Sequence, residues 1–392
     1  MRALQVYLDS SDYSVLSDAS QLSAAHIKVA GILLELQSDG IIQIRFSEAN
    51  VVEAAPKDPS SVEKARERLG MIKKICGQKC LIHPLDIIDL EIKSAINDER
   101  VSVGSALNDE GYWFPAFFWD DFLLPSPEQT IIEHISKLDR RKRRELFRDG
   151  KVTKAGFDFC RSMFSATKLD LSKKVPISPR SAKQIEMYYS GKVNSQRAQA
   201  ALLEGFVDLD QIAEWYSSSW DEAAELSTVI REAGTGFSVL IEKLHLECLD
   251  LISSLREGGV SEVEIYRTFN DEFKEKIKTA SLSLAEDYRV DDRSEPLDLT
   301  NQWASLPGIT TSMNLVMHVA RKSIGAAIPR RPKHSDFPDA YHSLFLPYVD
   351  VFRADSFTAS VIKECKFPFQ TTIVSNFLDL PSQIEAKLKQ LN

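Results

Sequence analysis

Four places in the sequence put a carboxylate at the end of an apolar run or at the start of the helix after it. The runs are VYLD, IRFSEANVVEAA, SDFPDA and VDVFRAD, and their acids include Asp9, Glu53, Asp336, Asp339 and Asp355. Carboxylates that meet at one place repel each other, and a divalent cation relieves that repulsion. Oxygen ligands suit Mg²⁺ or Mn²⁺. Such an ion lowers the pKa of water and stabilises charge on a phosphate, so these acids are candidates for phosphodiester hydrolysis.

Each acid also has an ordinary structural interpretation. Asp9 precedes SSDYS, where it can cap the following turn, and Asp336 lies in a predicted first helical turn, where an acid favours the helix dipole. Glu53 is typical of an exposed helical acid. Spacing alone therefore favours structural roles over a metal site.

The elements that position these acids alternate between strand and helix at both ends of the chain. Near the N-terminus, strands are predicted at 3–9, 41–46 and 80–85, with helices at 20–38 and 60–76. Near the C-terminus, strands are predicted at 349–355 and 370–375, each followed by a helix. This order is the signature of a parallel sheet, whose strands all open on one crevice at their carboxyl ends. We therefore expect the acids to converge there.

The middle of the chain has a different character. An aromatic-rich stretch at 112–125 is followed by helical spacing from 127 to about 306, with a polar loop at 287–298. The aromatic residues are expected to pack the helical region onto the sheet rather than to stack bases. The simplest organisation is an α/β domain built from residues 1–95 and 307–392, with a mainly helical insertion at 96–306. Insertion at a loop costs little when the host ends lie close together.

The C-terminal run SDFPDAYHSLFLPYVDVFRAD resembles the signature of PIN-domain nucleases, in which acids open a helix and an aspartate ends the next strand. VYLDSSDYS resembles the first strand of that family with its first aspartate, and IRFSEANVVEAA resembles its second strand and the following helix. The resemblance covers roughly half of the chain. It implies a PIN-like parallel sheet flanked by helices, and the large insertion is similar to the host-defence or mobile-element versions of the domain.

The resemblance also implies the ligands of a Mg²⁺ or Mn²⁺ site. Asp9 would be the first ligand, Glu53 the second, Asp336 the third and Asp355 the fourth, with Asp339 one turn after Asp336 on the same helix face. Two choices stay open. Glu48 competes with Glu53, and Asp336 competes with Asp339. Ala354 stands where the family usually has Thr or Ser, and His342, one turn after Asp339, is expected to be structural rather than to position a phosphate.

The sharpest basic feature is RRKRR on a predicted helix, formed by Arg140, Arg141, Lys142, Arg143 and Arg144. It is a weak candidate for contact with RNA phosphates, and a solvated helix face is favoured over that function. The net charge of −9 excludes a generally basic nucleic-acid-binding surface. The sequence has neither a signal peptide nor a membrane span, so a cytoplasmic protein is expected.

Two functions of different classes follow. The leading hypothesis is a metal-dependent endoribonuclease of PIN type that acts in a defence or toxin setting, and the resemblance implies RNA as its substrate. The alternative is a catalytically inactive PIN-like scaffold that binds a protein partner through the helical insertion. The residues do not distinguish RNA from DNA, and they leave the oligomeric state open.

Overall fold

The computed structural model of the protein describes residues 2–97, 99–115, 126–135, 139–287, 302–325 and 336–391. Its first part alternates strands and helices as the sequence predicts. The elements are β1 (Leu4–Tyr7), α1 (Ser10–Ser17), α2 (Ala24–Ser38), β2 (Ile42–Arg45), α3 (Glu48–Glu53), α4 (Val62–Cys76), β3 (Cys80–Leu81), α5 (Pro84–Ile96) and β4 (Leu107–Asn108). Short 3-10 helices at Pro59–Ser61 and Val103–Ala106 precede α4 and β4.

The predicted strand at 80–85 is wrong beyond its first two residues. Only Cys80–Leu81 is strand, and α5 begins at Pro84 with His83 as its N-cap. Proline fits the first position of a helix, because the N–H that it lacks would have no partner inside the helix there. The apolar run therefore divides between a short strand and the start of a helix.

The middle part is almost entirely helical. Its elements are α6 (Pro127–Ile135), α7 (Arg140–Leu146), β5 (Phe147–Arg148), β6 (Lys151–Val152), α8 (Lys154–Lys174), α9 (Pro179–Tyr189), α10 (Ser195–Val207), α11 (Leu209–Ser218), α12 (Trp220–Glu257), α13 (Glu262–Asp287) and α14 (Gln302–Ser305). The β5–β6 hairpin is a departure from the predicted run of helices. Most of the predicted aromatic stretch, from 116 to 125, and nearly all of the predicted polar loop lie outside the described residues.

The last part returns to alternating helices and strands. Its elements are α15 (Pro307–Gly325), α16 (Asp336–Ser343), β7 (Val351–Arg353), α17 (Ser356–Cys365), β8 (Thr372–Val374) and α18 (Leu380–Leu391), with 3-10 helices at Leu346–Tyr348 and Phe377–Asp379. The strands predicted at 349–355 and 370–375 are both present as shorter elements.

Strands from the two ends of the chain form one parallel sheet in the order β2-β1-β7-β8. The join between the ends is the pairing of β1 with β7, in which Val6 lies opposite Val351 and Tyr7 opposite Phe352. A parallel bridge between Phe46 and Cys80 brings β3 to the edge beside β2, and β4 pairs antiparallel with β3. The fold is therefore mixed α/β, with a four-stranded parallel sheet.

Helices cover both faces of this sheet. On one face, Val6, Leu8 and Val351 share a core with residues of α1, α2, α4, α11 and α18. On the other face, Tyr7 and Phe352 share a core with residues of α5, α15, α16 and α17. Burial on both faces explains why the strands read as continuous apolar runs rather than as alternating ones.

Part of the helical region shares the sheet's core. Trp113, Phe114 and Trp215 belong to the cluster on the β1 face, and the hydroxyl of Tyr216 donates to the carbonyl of Val51 at 2.9 Å. A separate core around Ile131 joins α6, α8, α9 and α10. Among the described helices, none is long and apolar enough to cross a membrane.

Candidate functional site

Asp9 and Asp355 follow two neighbouring strands and open the helices after them. Asp9 is the N-cap of α1 and accepts a hydrogen bond from the backbone N–H of Ser11 at 2.7 Å. Asp355 is the N-cap of α17 and accepts from the N–H of Thr358 at 2.7 Å. Because β1 and β7 are adjacent and parallel, the two carboxylates lie at the same edge of the sheet. The capping role suggested by sequence and a place at the crevice are thus compatible.

Asp339 reaches the same edge from α16. The hydroxyl of Thr358 donates to Oδ2 of Asp339 at 2.9 Å, while the N–H of Thr358 donates to Asp355. One threonine therefore ties the two carboxylates together. Asp336 is the first residue of α16, and its side chain lies outside the described ones.

The electrostatics of Asp339 show which acids are neighbours. Burial, followed by the negative charges of Asp355 and Asp9, raises the pKa of this carboxyl to about 8. The hydroxyl of Thr358 and the charge of His342 act against this rise. The fold thus brings Asp9 close to Asp339 and Asp355, which lie more than three hundred positions later in the sequence.

Glu53 is held by a histidine on the opposite helix. Nε2 of His342 lies 3.2 Å from Oε2 of Glu53, and Nδ1 of His342 lies 2.5 Å from the hydroxyl of Tyr7. That hydroxyl is also 2.6 Å from Oγ of Ser47. Burial alone lowers the pKa of His342, but the charge and hydrogen bond of Glu53, followed by the charges of Asp9 and Asp339, raise it to about 9. A buried imidazolium therefore faces the acids.

Glu48, the competitor of Glu53, makes different contacts. The hydroxyl of Tyr341 donates to Oε2 of Glu48 at 2.8 Å, and Nε2 of His83 lies 3.9 Å from Oε1. Burial raises the pKa of Glu48 to about 7, and burial lowers the pKa of His83 to about 4. The histidine is therefore neutral at pH 7, and this contact is not an ion pair. Glu48 thus contacts Tyr341 and Glu53 contacts His342, and these two partners are adjacent residues of α16.

Asn50 and Asp12 make hydrogen bonds to the segments that follow β1 and β2. Asn50 donates from Nδ2 to Oγ of Ser10 at 3.0 Å and accepts the N–H of Ser47 at 2.9 Å. Asp12, which is 3% exposed, accepts from the N–H of Asp9 at 3.2 Å and pairs with Arg353 at 2.9 Å. These contacts fix the backbone around Asp9.

Asp9, Asp339 and Asp355 are the candidate donor set for a divalent cation. Within the described part of the chain, no group of three or more His, Cys, Asp or Glu side chains stands in an arrangement that could hold a metal ion. The cluster matches such an ion in donor type, because Asp9, Asp339 and Asp355 offer only hard oxygen donors and the charges of Asp9 and Asp355 raise the pKa of Asp339. The three aspartates therefore suit a divalent cation in the type of their donor atoms and in their charge.

The basic residues 140–144 occupy another part of the molecule. All five are exposed on α7, which packs with the helical core around Ile131 rather than with the sheet. Their weak candidate role in contacting RNA phosphates therefore concerns a surface on the helical core rather than on the sheet.

Several residues of the site carry little signal in the sequence. Thr358 and Tyr7 look like ordinary helix and strand residues. His342 has one detectable signal, its spacing of one helical turn after Asp339, which predicts a shared face. Comparison with protein-family models, with curated proteins and with solved structures found no match to this chain.

Proposed function

We propose that the chain is a PIN-like, Mg²⁺- or Mn²⁺-dependent endoribonuclease. One observation carries the proposal: Asp9 and Asp355 lie at the carboxyl edge of a parallel sheet built from both chain ends, close enough to Asp339 for their charges to raise its pKa. In this organisation, residues 1–95 and 307–392 form the nuclease domain and residues 96–306 form the insertion. RNA is preferred over DNA because of the resemblance to the PIN family.

The three aspartates would hold the metal, together with Asp336, which precedes Asp339 by three positions on α16. The ion would supply positive charge that activates water and stabilises the phosphate during an in-line displacement. Thr358 orients two of these carboxylates at once through its N–H and its hydroxyl.

The resemblance implies that Glu53 is the second metal ligand, but in this proposal Glu53 has a different role. Its Oε2 faces the buried ring of His342, so one side of the carboxylate is engaged by a cation. Glu53 would therefore act at the edge of the cluster, where the fixed imidazolium orients its remaining oxygen. The contact of Glu48 with the hydroxyl of Tyr341 would in turn hold the start of α3 against α16.

The test is cleavage of a labelled RNA in the presence of Mn²⁺. We expect the wild-type chain to cut and the double variant Asp9→Asn, Asp355→Asn to lose at least a hundredfold in rate, because it lacks two of the carboxylates. Asp39→Asn is the matched control, since Asp39 is an exposed acid that follows α2. If the double variant cuts as well as the control, the site assignment is wrong.

Two other outcomes would redirect the proposal. A folded chain that cuts neither RNA nor DNA, and that binds no Mn²⁺ in calorimetry, would favour the scaffold that holds a protein partner. Growth arrest on expression of the wild-type chain, absent with the double variant, would support a toxin setting.

A further inference from the structure

A concentrated basic surface lies on the helical part of the molecule. Between residues 139 and 154 the chain has eight Lys or Arg and only three Asp or Glu, although the whole chain carries −9. The five basic residues of α7 are all exposed, and so are Arg148, Lys151 and Lys154 on the segment that follows. We call the exposed basic residues of 140–154 the basic surface.

A tight hairpin presents part of this surface. Arg148 and Lys151 form the last pair of the β5–β6 ladder, and Asp149 and Gly150 between them have φ values of 51° and 74°. Two residues of positive φ make the turn that matches the twist of a two-stranded ribbon. The hairpin therefore projects two basic side chains beside α7.

Contacts beneath the surface hold α7, the hairpin and α8 together. The hydroxyl of Thr153 donates to the carbonyl of Glu145 at 2.5 Å, and the N–H of Thr153 donates to that of Leu146 at 3.0 Å. Gly156 lies so close to the carbonyl of Leu146 that a Cβ would overlap it. Leu146, Phe147 and Val152 pack on the core around Ile131. The basic side chains thus stand on a backbone that is fixed by hydrogen bonds and by packing on the core.

The side chains of this surface favour nucleic acid over a membrane. A helix that binds a lipid surface needs an exposed apolar face beside its basic one. The apolar residues of this segment, Leu146, Phe147 and Val152, instead pack against the core, so the exposed face of α7 carries only charged groups. Guanidinium groups, which make up four of the five basic residues of α7, match the geometry of phosphate oxygens.

We propose that the basic surface docks the phosphate backbone of an RNA strand that also reaches the acidic site. The choice of RNA rests on the proposed nuclease function, whereas the polyanion chemistry follows from the exposed residues themselves. An acidic protein gains from such a surface, because its overall charge repels RNA and only a local cationic element can hold the strand.

The experiment measures binding separately from cleavage. Fluorescence anisotropy of a labelled 30-nucleotide oligo(U) RNA is followed in EDTA at several salt concentrations, with three full-length chains. These are the wild type, the triple variant Arg140→Gln, Arg141→Gln, Arg144→Gln, and a control triple variant Lys274→Gln, Lys276→Gln, Lys278→Gln. The control removes the same charge from exposed residues of α13.

We expect the triple variant of α7 to bind at least tenfold more weakly at low salt than the control variant. The slope of log K against log salt should also be smaller by about 2, since each lost phosphate contact on a single strand removes about 0.7. Far-UV circular dichroism of the two variants should be the same. Equal affinities of the two variants, or no binding of RNA by the wild type, would overturn the proposal.

The remaining outcomes distinguish RNA docking from membrane binding and from the nuclease function. Loss of binding to phosphatidylserine vesicles in the α7 variant, with unchanged RNA binding, would overturn it in favour of a membrane surface. A chain that binds RNA through α7 but never cuts with Mn²⁺ would leave the docking surface standing and remove the nuclease. Cleavage of RNA with Mn²⁺, together with equal RNA binding by the α7 variant and the control variant, would leave the nuclease function standing and remove the docking surface.

Discussion

Nε2 of His342 lies 3.2 Å from Oε2 of Glu53, although 289 positions of sequence separate the two residues. The other ring nitrogen meets the hydroxyl of Tyr7 at 2.5 Å. One imidazole thus connects the central strand β1, helix α3 and helix α16. Since α16 carries Asp339 and β1 leads to Asp9, this connection sets where two of the proposed ligands stand.

Replacing His342 by Gln should change how stability depends on pH. The pKa of His342 is raised to about 9 in the folded chain, against about 6.5 in the unfolded one. A raised pKa means that the folded state binds the proton more tightly. The resulting stabilisation is complete below pH 6.5 and is lost as pH rises to 9. We expect His342→Gln to remove roughly 1–3 kcal/mol of that pH-dependent stability.

Urea unfolding at pH 6 and at pH 9 measures this effect. His26→Gln is the control, because the ring of His26 contacts Ser23 and Phe377 rather than a carboxylate. A difference between pH 6 and pH 9 that is equal in wild type and His342→Gln would contradict the charged state assigned to the buried ring.

Asp339→Asn should separate the electrostatic role of this residue from its role towards a metal. Its pKa is raised to about 8, so the folded state retains a proton that the unfolded state releases near pH 4. Without metal, this carboxyl therefore makes wild-type stability fall as pH rises from 4 to 8. The amide has no such loss, and its oxygen can still accept from Thr358. We expect the variant to be at least as stable as wild type at pH 8 in EDTA.

Mn²⁺ should make the wild type more stable than Asp339→Asn. An ion at one hundred times its dissociation constant adds about 2.7 kcal/mol to the stability of a chain that binds it only when folded. We expect wild type to gain melting temperature with Mn²⁺ at pH 8 and Asp339→Asn to gain much less. Equal gains in both chains would place the ion away from Asp339.

Glu91 is expected to be one of the most sensitive positions for stability. It is fully buried and accepts from the backbone N–H groups of Gly308 at 2.5 Å and Ile309 at 3.0 Å and from the hydroxyl of Tyr348 at 2.5 Å. Glu91→Ala leaves these donors without their acceptor and opens a cavity. The loss should be about 3 kcal/mol in urea unfolding.

Asp89→Ala provides the comparison on the same helix. Asp89 is half-exposed and pairs with Lys93 one turn later, and such surface pairs contribute less than about 1 kcal/mol. Similar losses from the two alanine variants would mean that Glu91 does not hold the start of α15.

The buried pair of Asp12 and Arg353 gives a prediction of non-additivity. Their side chains are only 3% and 11% exposed, and Nε and Nη1 of Arg353 have no hydrogen-bond partner among the described residues. Arg353→Met leaves a carboxylate buried without its cation, which should cost about 3 kcal/mol. Adding Asp12→Asn should recover part of that loss, because the remaining group is neutral.

A double-mutant cycle in urea measures the coupling of the pair. We expect the combined variant to be more stable than the sum of the two single changes predicts, by about 1 kcal/mol or more. Strict additivity would show that the two residues act independently, and Arg353 would then have no role in fixing the turn after Asp9.

Much of the local structure was predictable from the sequence. The strands that lead to Asp9 and Asp355 are apolar runs followed by capping residues, and both patterns depend only on neighbours along the chain. Strand–helix alternation at the two ends also predicted that both ends build one sheet, whereas the pairing of β1 with β7 was not predicted. The limits of the predicted strand at 80–85 failed, because the apolar run contains both a strand and the start of a proline-led helix.

What the sequence by itself determined is therefore the order of the elements and the acids at their ends, since short-range propensity and periodicity encode both. Only the tertiary structure decided that Thr358 joins Asp339 to Asp355, that His342 binds Glu53, and that α7 and its basic residues pack on the helical core. Those relations depend on how helices pack across the sheet. Packing brings distant side chains within a few ångströms, and no local pattern specifies such distances.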